Sequence, residues 1–254
     1  MTELFEVDEL KVYRGQDLVI NNKIRLRQPT LGEIEGSGSS EFTEKNFFQT
    51  VHTLISTPSD MFAQLDECGI NYEDLTNFDL FMLLFPQMDV EDIRLIFGDG
   101  INPKNFRREY VTNEDRYVLA DKENEIFVDE IIYQGIVQYL CLMFGTKQSD
   151  PMKIGNGWTK QVMLQAAKDE AEAQKSRPYK SILKPLISSL VNHEGFKYGW
   201  DNVWEMKFAA FMDAVSRIQA ISSARALLGG CYNGTIDMKK INKNELNYMR
   251  DLSH

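Results

Sequence analysis

Nucleophiles, acids, bases and metal ligands are few in this chain, and none falls in a spacing that performs chemistry. Its three histidines are scattered. His52 lies in a run of helical periodicity, His193 in the turn-like stretch Asn192-His193-Glu194-Gly195, and His254 at the last position. Each reads most simply as a packing or surface histidine. A Ser–His or Cys–His pair assembled in space stays open, and His193 is the residue whose substitution by Ala would expose such an activity. Cys68, Cys141 and Cys231 are odd in number and far apart, and no CxxC pair exists. That spacing supports neither a zinc knuckle nor a redox motif. Cys141 sits inside the apolar run Val137–Phe144 and reads as a small core residue. A reducing compartment fits this cysteine usage.

Carboxylates cluster at Asp60 with Asp66 and Glu67, at Asp74 with Asp79, and at Asp89 with Glu91 and Asp92. A calcium loop needs a central glycine and a terminal glutamate at fixed spacing, which none of them has. Asp99-Gly100 starts like one, but Asn102 and Asn105 do not complete it. Helix caps and charged faces explain these groups. Gly36-Ser37-Gly38-Ser39-Ser40 lacks the Lys-Ser/Thr ending of a phosphate loop and follows no buried strand, so it reads as a hinge or loop. HExxH, GxSxG, Walker and Rossmann patterns are missing. Most aromatic residues fall at helical spacing and read as core, not as stacking platforms for bases. The residues therefore assign no catalytic, cofactor-binding or metal site, and the expectation is a protein that is not an enzyme and carries no cofactor.

Composition narrows the class further. The 254 residues are 43% hydrophobic and 11% aromatic, enough for one or two domains with a real core. A chain of this length buries roughly 70–75% of its unfolded surface and needs no disulfide. Net charge is −10. Residues 1–175 carry 17 basic against 31 acidic side chains, whereas residues 176–254 carry 11 against 7. The acidic first two thirds argue against duplex nucleic acid as a partner, since phosphate contacts need a cationic face. No apolar run approaches about 20 residues, so no membrane span is expected. The opening MTELFEVDEL has no basic n-region and does not read as a signal peptide. Asn233-Gly234-Thr235 has the form of a glycosylation sequon and reads as a turn.

The elements follow from periodicity and punctuation. Lys11-Val12-Tyr13, Asp17–Ile20 and Lys23–Arg27 are β-prone runs split by Arg14-Gly15-Gln16 and Asn21-Asn22, which predicts a β-hairpin or three-stranded meander. Thr30 with Glu33 forms a capping-box pattern that starts a helix after Pro29. Three or four short helices are expected over residues 41–97. The first has Phe47, Val51 and Leu54 on its face, and another begins at Thr57-Pro58-Ser59-Asp60. A third carries Phe78, Phe81 and Phe85 and ends at Pro86, and the last runs Val90–Phe97 behind Asp89. Arg116–Ala120 and Glu125–Val128 flank a polar turn and predict a second hairpin. Asp129 then caps a helix with Ile132, Ile136, Val137, Leu140 and Met143 on one face.

Thr146–Gly157, with Pro151, Gly155 and Gly157, reads as a linker. Thr159–Lys175 reads as a polar helix with a Lys168–Glu172 pair one turn apart. Ser181–Leu228 holds two apolar helices joined by a corner rich in aromatics, whose Trp200, Trp204, Phe208 and Phe211 are expected in the core. Gly229–Gly234 reads as a sharp turn, followed by Ile236–Ile241 and a short helix Asn244–Leu252. The fold class is mainly α (α+β), a helical bundle-like core with an N-terminal hairpin or meander and a second small hairpin. The expected organisation is residues 1–145 with the N-terminal hairpin and helices, a linker over 146–158, and a helical region over 159–254.

Several segments in order resemble a known family: Lys11-Val12-Tyr13, Ile24–Ile34, Ser56–Asp60, Leu80–Phe85, Leu186–Asn192, Gly195–Tyr198, Val215–Ala220, Gly230–Gly234 and Lys239–Lys243. Over about residues 10–252 the chain resembles tail assembly chaperones from the morphogenesis gene blocks of tailed phages and prophages of Gram-positive hosts. The shared segments are structural, so no functional residue carries over. The resemblance implies a protein of the host cytoplasm that binds the hydrophobic tape measure protein, or other phage tail proteins, before the tail tube polymerises. Self-association stays open. The 11 methionines suit either an adaptable binding surface or the core. Thr159–Lys175 and the C-terminal segment are the expected contact surfaces. The alternative is a virion structural protein, such as a tail, connector or baseplate subunit, retained in the particle.

Overall fold

A computed structural model describes residues 7–36, 43–152, 156–175 and 177–252. In chain order the helices are α1 (Glu9–Tyr13), α2 (Leu31–Glu35), α3 (Thr43–Ile55), α4 (Phe62–Glu67), α5 (Asn77–Leu84), α6 (Val90–Phe97), α7 (Glu130–Phe144), α8 (Gly157–Lys175), α9 (Leu183–Val191), α10 (Phe208–Tyr232) and α11 (Lys243–Leu246). The strands are β1 (Leu18–Val19) and β2 (Arg25–Leu26), which pair antiparallel, and β3 (Arg107–Val111), β4 (Arg116–Asp121) and β5 (Ile126–Val128), an antiparallel sheet in that order. The fold is mainly α with two small sheets, as expected.

α7 organises the core. Asp129 accepts from the Ile132 N–H at its start, and Gly145 closes it in the left-handed region. Ile136, Val137, Leu140 and Met143 are buried along it, and α1, α3, α10 and β5 pack around it. Two aromatic groups fill the space. Phe144 lies 4.5 Å from Phe208, which also meets Phe47 at 5.3 Å. Tyr133 lies 5.0 Å from Phe81, and Phe85 packs edge-on against Phe106 at 5.3 Å. Both groups belong to one continuous core, which also takes in Leu183, Ile187, Leu190 and Phe211 from the C-terminal part.

The N-terminal parts are tied to the C-terminal parts by main-chain bonds. Leu31 N donates to Met206 O and Phe208 N to Pro29 O, both at 3.0 Å. Beneath them Gln28 is fully buried. Its amide donates to Val12 O and accepts from Ala209 N, while its own carbonyl accepts from Lys207 Nζ at 2.6 Å. Gly15 takes φ +79° where a Cβ would stand 2.6 Å from Lys207 Cγ, so the turn admits only glycine.

Several expectations are corrected. Lys11-Val12-Tyr13 is helical, not a strand, because the Asp8 carboxylate accepts from Leu10 N and Lys11 N and nucleates a turn that overrides the β-preference of Val and Tyr. The N-terminal sheet is thus a two-stranded hairpin. The second sheet has a third strand, β3. Its charged Arg107-Arg108-Glu109 gives no apolar alternation, because it is an edge strand whose outer side faces solvent. The helix expected from Thr57 begins at Phe62, since Asp60 accepts from both the N–H and the hydroxyl of Thr57 and holds a turn there. α10 runs straight through Gly229-Gly230 to Tyr232. Gly230 leaves the space that the Ile236 side chain occupies, and the turn comes at Gly234, φ +72°.

The last helix is a single turn, α11, preceded by a 3-10 turn over Met238–Lys240. The segment expected as a linker is partly anchored. Gln148 Nε2 donates to Ile55 O and to the Tyr133 hydroxyl, and Met152 N donates to Ser59 Oγ. Lys168 faces Glu67 of α4 at 3.8 Å, where Glu172 was expected. The loop reading of residues 37–40 and the terminal His254 lie outside the described residues.

Candidate partner-binding cleft

Ser, His and Asp approach each other at the end of α3. Ser56 Oγ lies 3.2 Å from His52 Nδ1, but its hydroxyl donates to the His52 carbonyl at 2.6 Å, and Ser56 is buried. Asp60 accepts from the N–H and the hydroxyl of Thr57. The arrangement is a helix end with a back-bonded serine, not an activated nucleophile. His193 sits at the corner after α9, where its Nδ1 is buried with no hydrogen-bond partner among the described residues. Cys141 is buried in α7, and burial lifts its thiol to about 11. Among the described residues no three His, Cys, Asp or Glu side chains converge as metal ligands. No described helix is long and apolar enough to cross a membrane.

The expected aromatic corner is present but only half of it is core. Phe208 and Phe211 are fully buried. Trp204 is half-buried, and Trp200 is 54% exposed. The reason lies in the chain direction. Residues 206–208 are pinned to residues 29–31, which turns the tryptophans outward while the phenylalanines enter the core. Close approach at the corner depends on Gly32, since a Cβ there would lie 3.2 Å from Trp204 O.

The outward tryptophans wall a cleft of about 340 Å³ between α2, the start of α3 and α9. Leu183 and Ile187 of α9 also line it, with Tyr179 at one end. Polar side chains line it as well. Glu44 Oε1 accepts from Ile182 N at 2.7 Å and Leu183 N at 2.8 Å, so a carboxylate on α3 caps the N-terminus of α9. Burial and the neighbouring Glu44 charge push the Tyr179 hydroxyl up to about 12, so it stays protonated as a donor. Glu35 and Lys184 also line it. The sequence signals found the tryptophans but not the cap, because Glu44 and Leu183 are 139 positions apart. Such a site offers shape, apolar contact and a few polar groups, suited to apolar side chains.

Residues 174–253 match the family described as YomV second domain. This family is phage-associated. The match takes in α9, the corner, α10 and α11, hence one wall of the cleft and both tryptophans. No curated protein and no solved structure matches the chain.

The two surfaces expected to meet partners are both peripheral. Among the described residues α8 has no buried side chain, and Trp158 on it is 74% exposed. Two ion pairs hold it to α4, Lys160–Asp66 at 3.0 Å and Lys168–Glu67 at 3.8 Å. The segment after α10 likewise buries no side chain among its described residues. The methionines divide between both readings: Met82, Met143 and Met206 are buried, while Met238 and Met249 are exposed.

Proposed function

We propose that this is a non-enzymatic phage protein of tail morphogenesis, a tail assembly chaperone that holds apolar segments of the tape measure protein in the host cytoplasm before the tube forms around them. The observation that carries this reading is the open cleft walled by Trp200, Trp204, Leu183 and Ile187, within the stretch that matches a phage-associated family. A helix presenting aliphatic side chains at i and i+4 fits a groove of that size and lining. The chain's net charge of −10 keeps such a complex soluble.

The test is co-expression with the tape measure protein encoded nearby, affinity capture, and mass spectrometry of mature particles. Capture from the lysate with no copies in the particle supports the chaperone reading, and Trp200→Glu, which charges an exposed part of the cleft wall, should abolish capture. Copies retained in the particle would replace it with a virion structural role. Absence of both capture and particle incorporation would overturn the phage-tail reading.

A further inference from the structure

α10 has two environments. Its first half, with Phe208, Ala209 and Phe211, enters the core. Beyond Ile218 it leaves the core, and the only buried residues in its second half are Ala220 and Ala224. There the chain reverses at Gly234, and α11 packs back along α10. From Tyr232 to Leu252 every described residue is exposed or half-exposed. Little apolar area therefore holds this return segment in place.

Beyond the turn where Thr235 N and Ile236 N donate to Gly230 O, a guanidinium fastens it to the helix. Arg217 Nη1 donates to Tyr248 O at 2.6 Å and to Arg250 O at 2.9 Å. Asp213 stands one turn away on the same helix and would be the ordinary partner for this arginine. It accepts instead from the Tyr13 hydroxyl of α1 at 3.1 Å. Arg250 in turn donates to Asn244 O, Glu245 O and Asn247 O, which fastens the segment to itself and not to the core. Its last residues, Asp251 and Leu252, reach a cleft between α1 and α10 lined by Leu10, Tyr13 and Met212.

We propose that residues 233–252 form a strap that lifts from α10 as a unit while the core stays folded, with Arg217 as its latch. Two features make the unit separable. Its internal bonds close on themselves through Arg250, and its polar attachment to the helix at Arg217 is exposed or part-buried, so water can replace it. Lifting uncovers the second half of α10 together with the cleft beside α1. The strap lies inside the stretch that matches the phage-associated family. The inference does not depend on the role proposed for the tryptophan cleft.

Hydrogen–deuterium exchange of the full chain tests it. Amides of residues 238–250 should exchange at least about tenfold faster than those of α7, in one cooperative step. Arg217→Gln, which removes the charged fork, should accelerate exchange over 238–250 by a further several-fold and leave α7 and the first half of α10 unchanged. Trypsin should cut the intact protein first at Lys239, Lys240 or Lys243, leaving a folded core. Exchange over 238–250 that tracks α7 in the unmodified chain would overturn the proposal. So would an Arg217→Gln variant that accelerates the strap and α7 together, or leaves both unchanged.

Discussion

α10 begins among rings and ends among solvated polar groups, and the contrast runs through the whole molecule. On the core side, Phe208, Phe47 and Phe144 close-pack, and every wall of the space they fill belongs to a different part of the sequence. On the outer side, α8 and the strap are regular structure held by ion pairs and carbonyl contacts. Helical periodicity is visible in both regions. Only the first has the buried apolar area that turns a helix into a fixed part of a fold. The second keeps its shape with few contacts, which suits a surface that must exchange its own neighbours for those of a partner.

The sharpest way to break this contrast is to empty the core side. Phe208→Ala should cost about 3–5 kcal/mol and lower the denaturant midpoint of the core in one transition, because its ring joins α3, α7 and α10. A two-step unfolding curve would mean that the regions are coupled less than this packing implies.

Next comes the buried joint. Gln28→Leu removes the donor for Val12 O and the acceptor for Ala209 N, which should cost about 1–3 kcal/mol by chemical denaturation. A neutral result would show that water or rearrangement satisfies those groups.

The contrast also has a pH signature. Burial lifts Tyr133 to about 12 and Cys141 to about 11 from an ordinary 9.0, so the folded chain keeps protons that the unfolded chain sheds. Stability should be full below about 9 and decline as pH rises toward 11–12. At the acid end, burial raises the Glu33 carboxyl, but the Thr30 N–H and Arg27 outweigh it and hold the group below the usual range. That contribution is present above the ordinary carboxylate range and is lost as pH falls. At neutral pH a thiol reagent should label the exposed Cys68 and spare Cys141 until the protein unfolds.

The smallest effect belongs to the periphery. Lys168→Ala removes an exposed ion pair and should change global stability by roughly 0–1 kcal/mol, while raising amide exchange in α8 alone. A loss of the size expected for Phe208→Ala would place α8 with the core.

Legibility in the sequence follows the same division between local and distant causes. α6 was expected over Val90–Phe97 and is found there. The capping box at Thr30 and Glu33, the Asp129 cap of α7 and the β4–β5 hairpin also stand where the spacing put them. Each is written within a few residues of itself. The histidines carried no constellation in the sequence, and the structure builds none around His52 beyond a back-bonded serine. The cleft was half legible. Its tryptophans were singled out, but as core residues.

By itself the sequence determined a mainly α protein with two small sheets, the starts of α2, α6 and α7, and a core drawn from its periodic apolar residues. Those features rest on caps, turns and periodicities whose partners lie within about one helical turn. Tertiary structure alone decided that Val12 and Tyr13 would be helical and that α10 would pass through two glycines. It also decided that Glu44 would cap a helix 139 residues later. The outward turn of Trp200 was settled the same way, by the pairing of residues 206–208 with residues 29–31. A local pattern can say that a side chain is apolar, but which side of it meets protein depends on segments brought together only by folding.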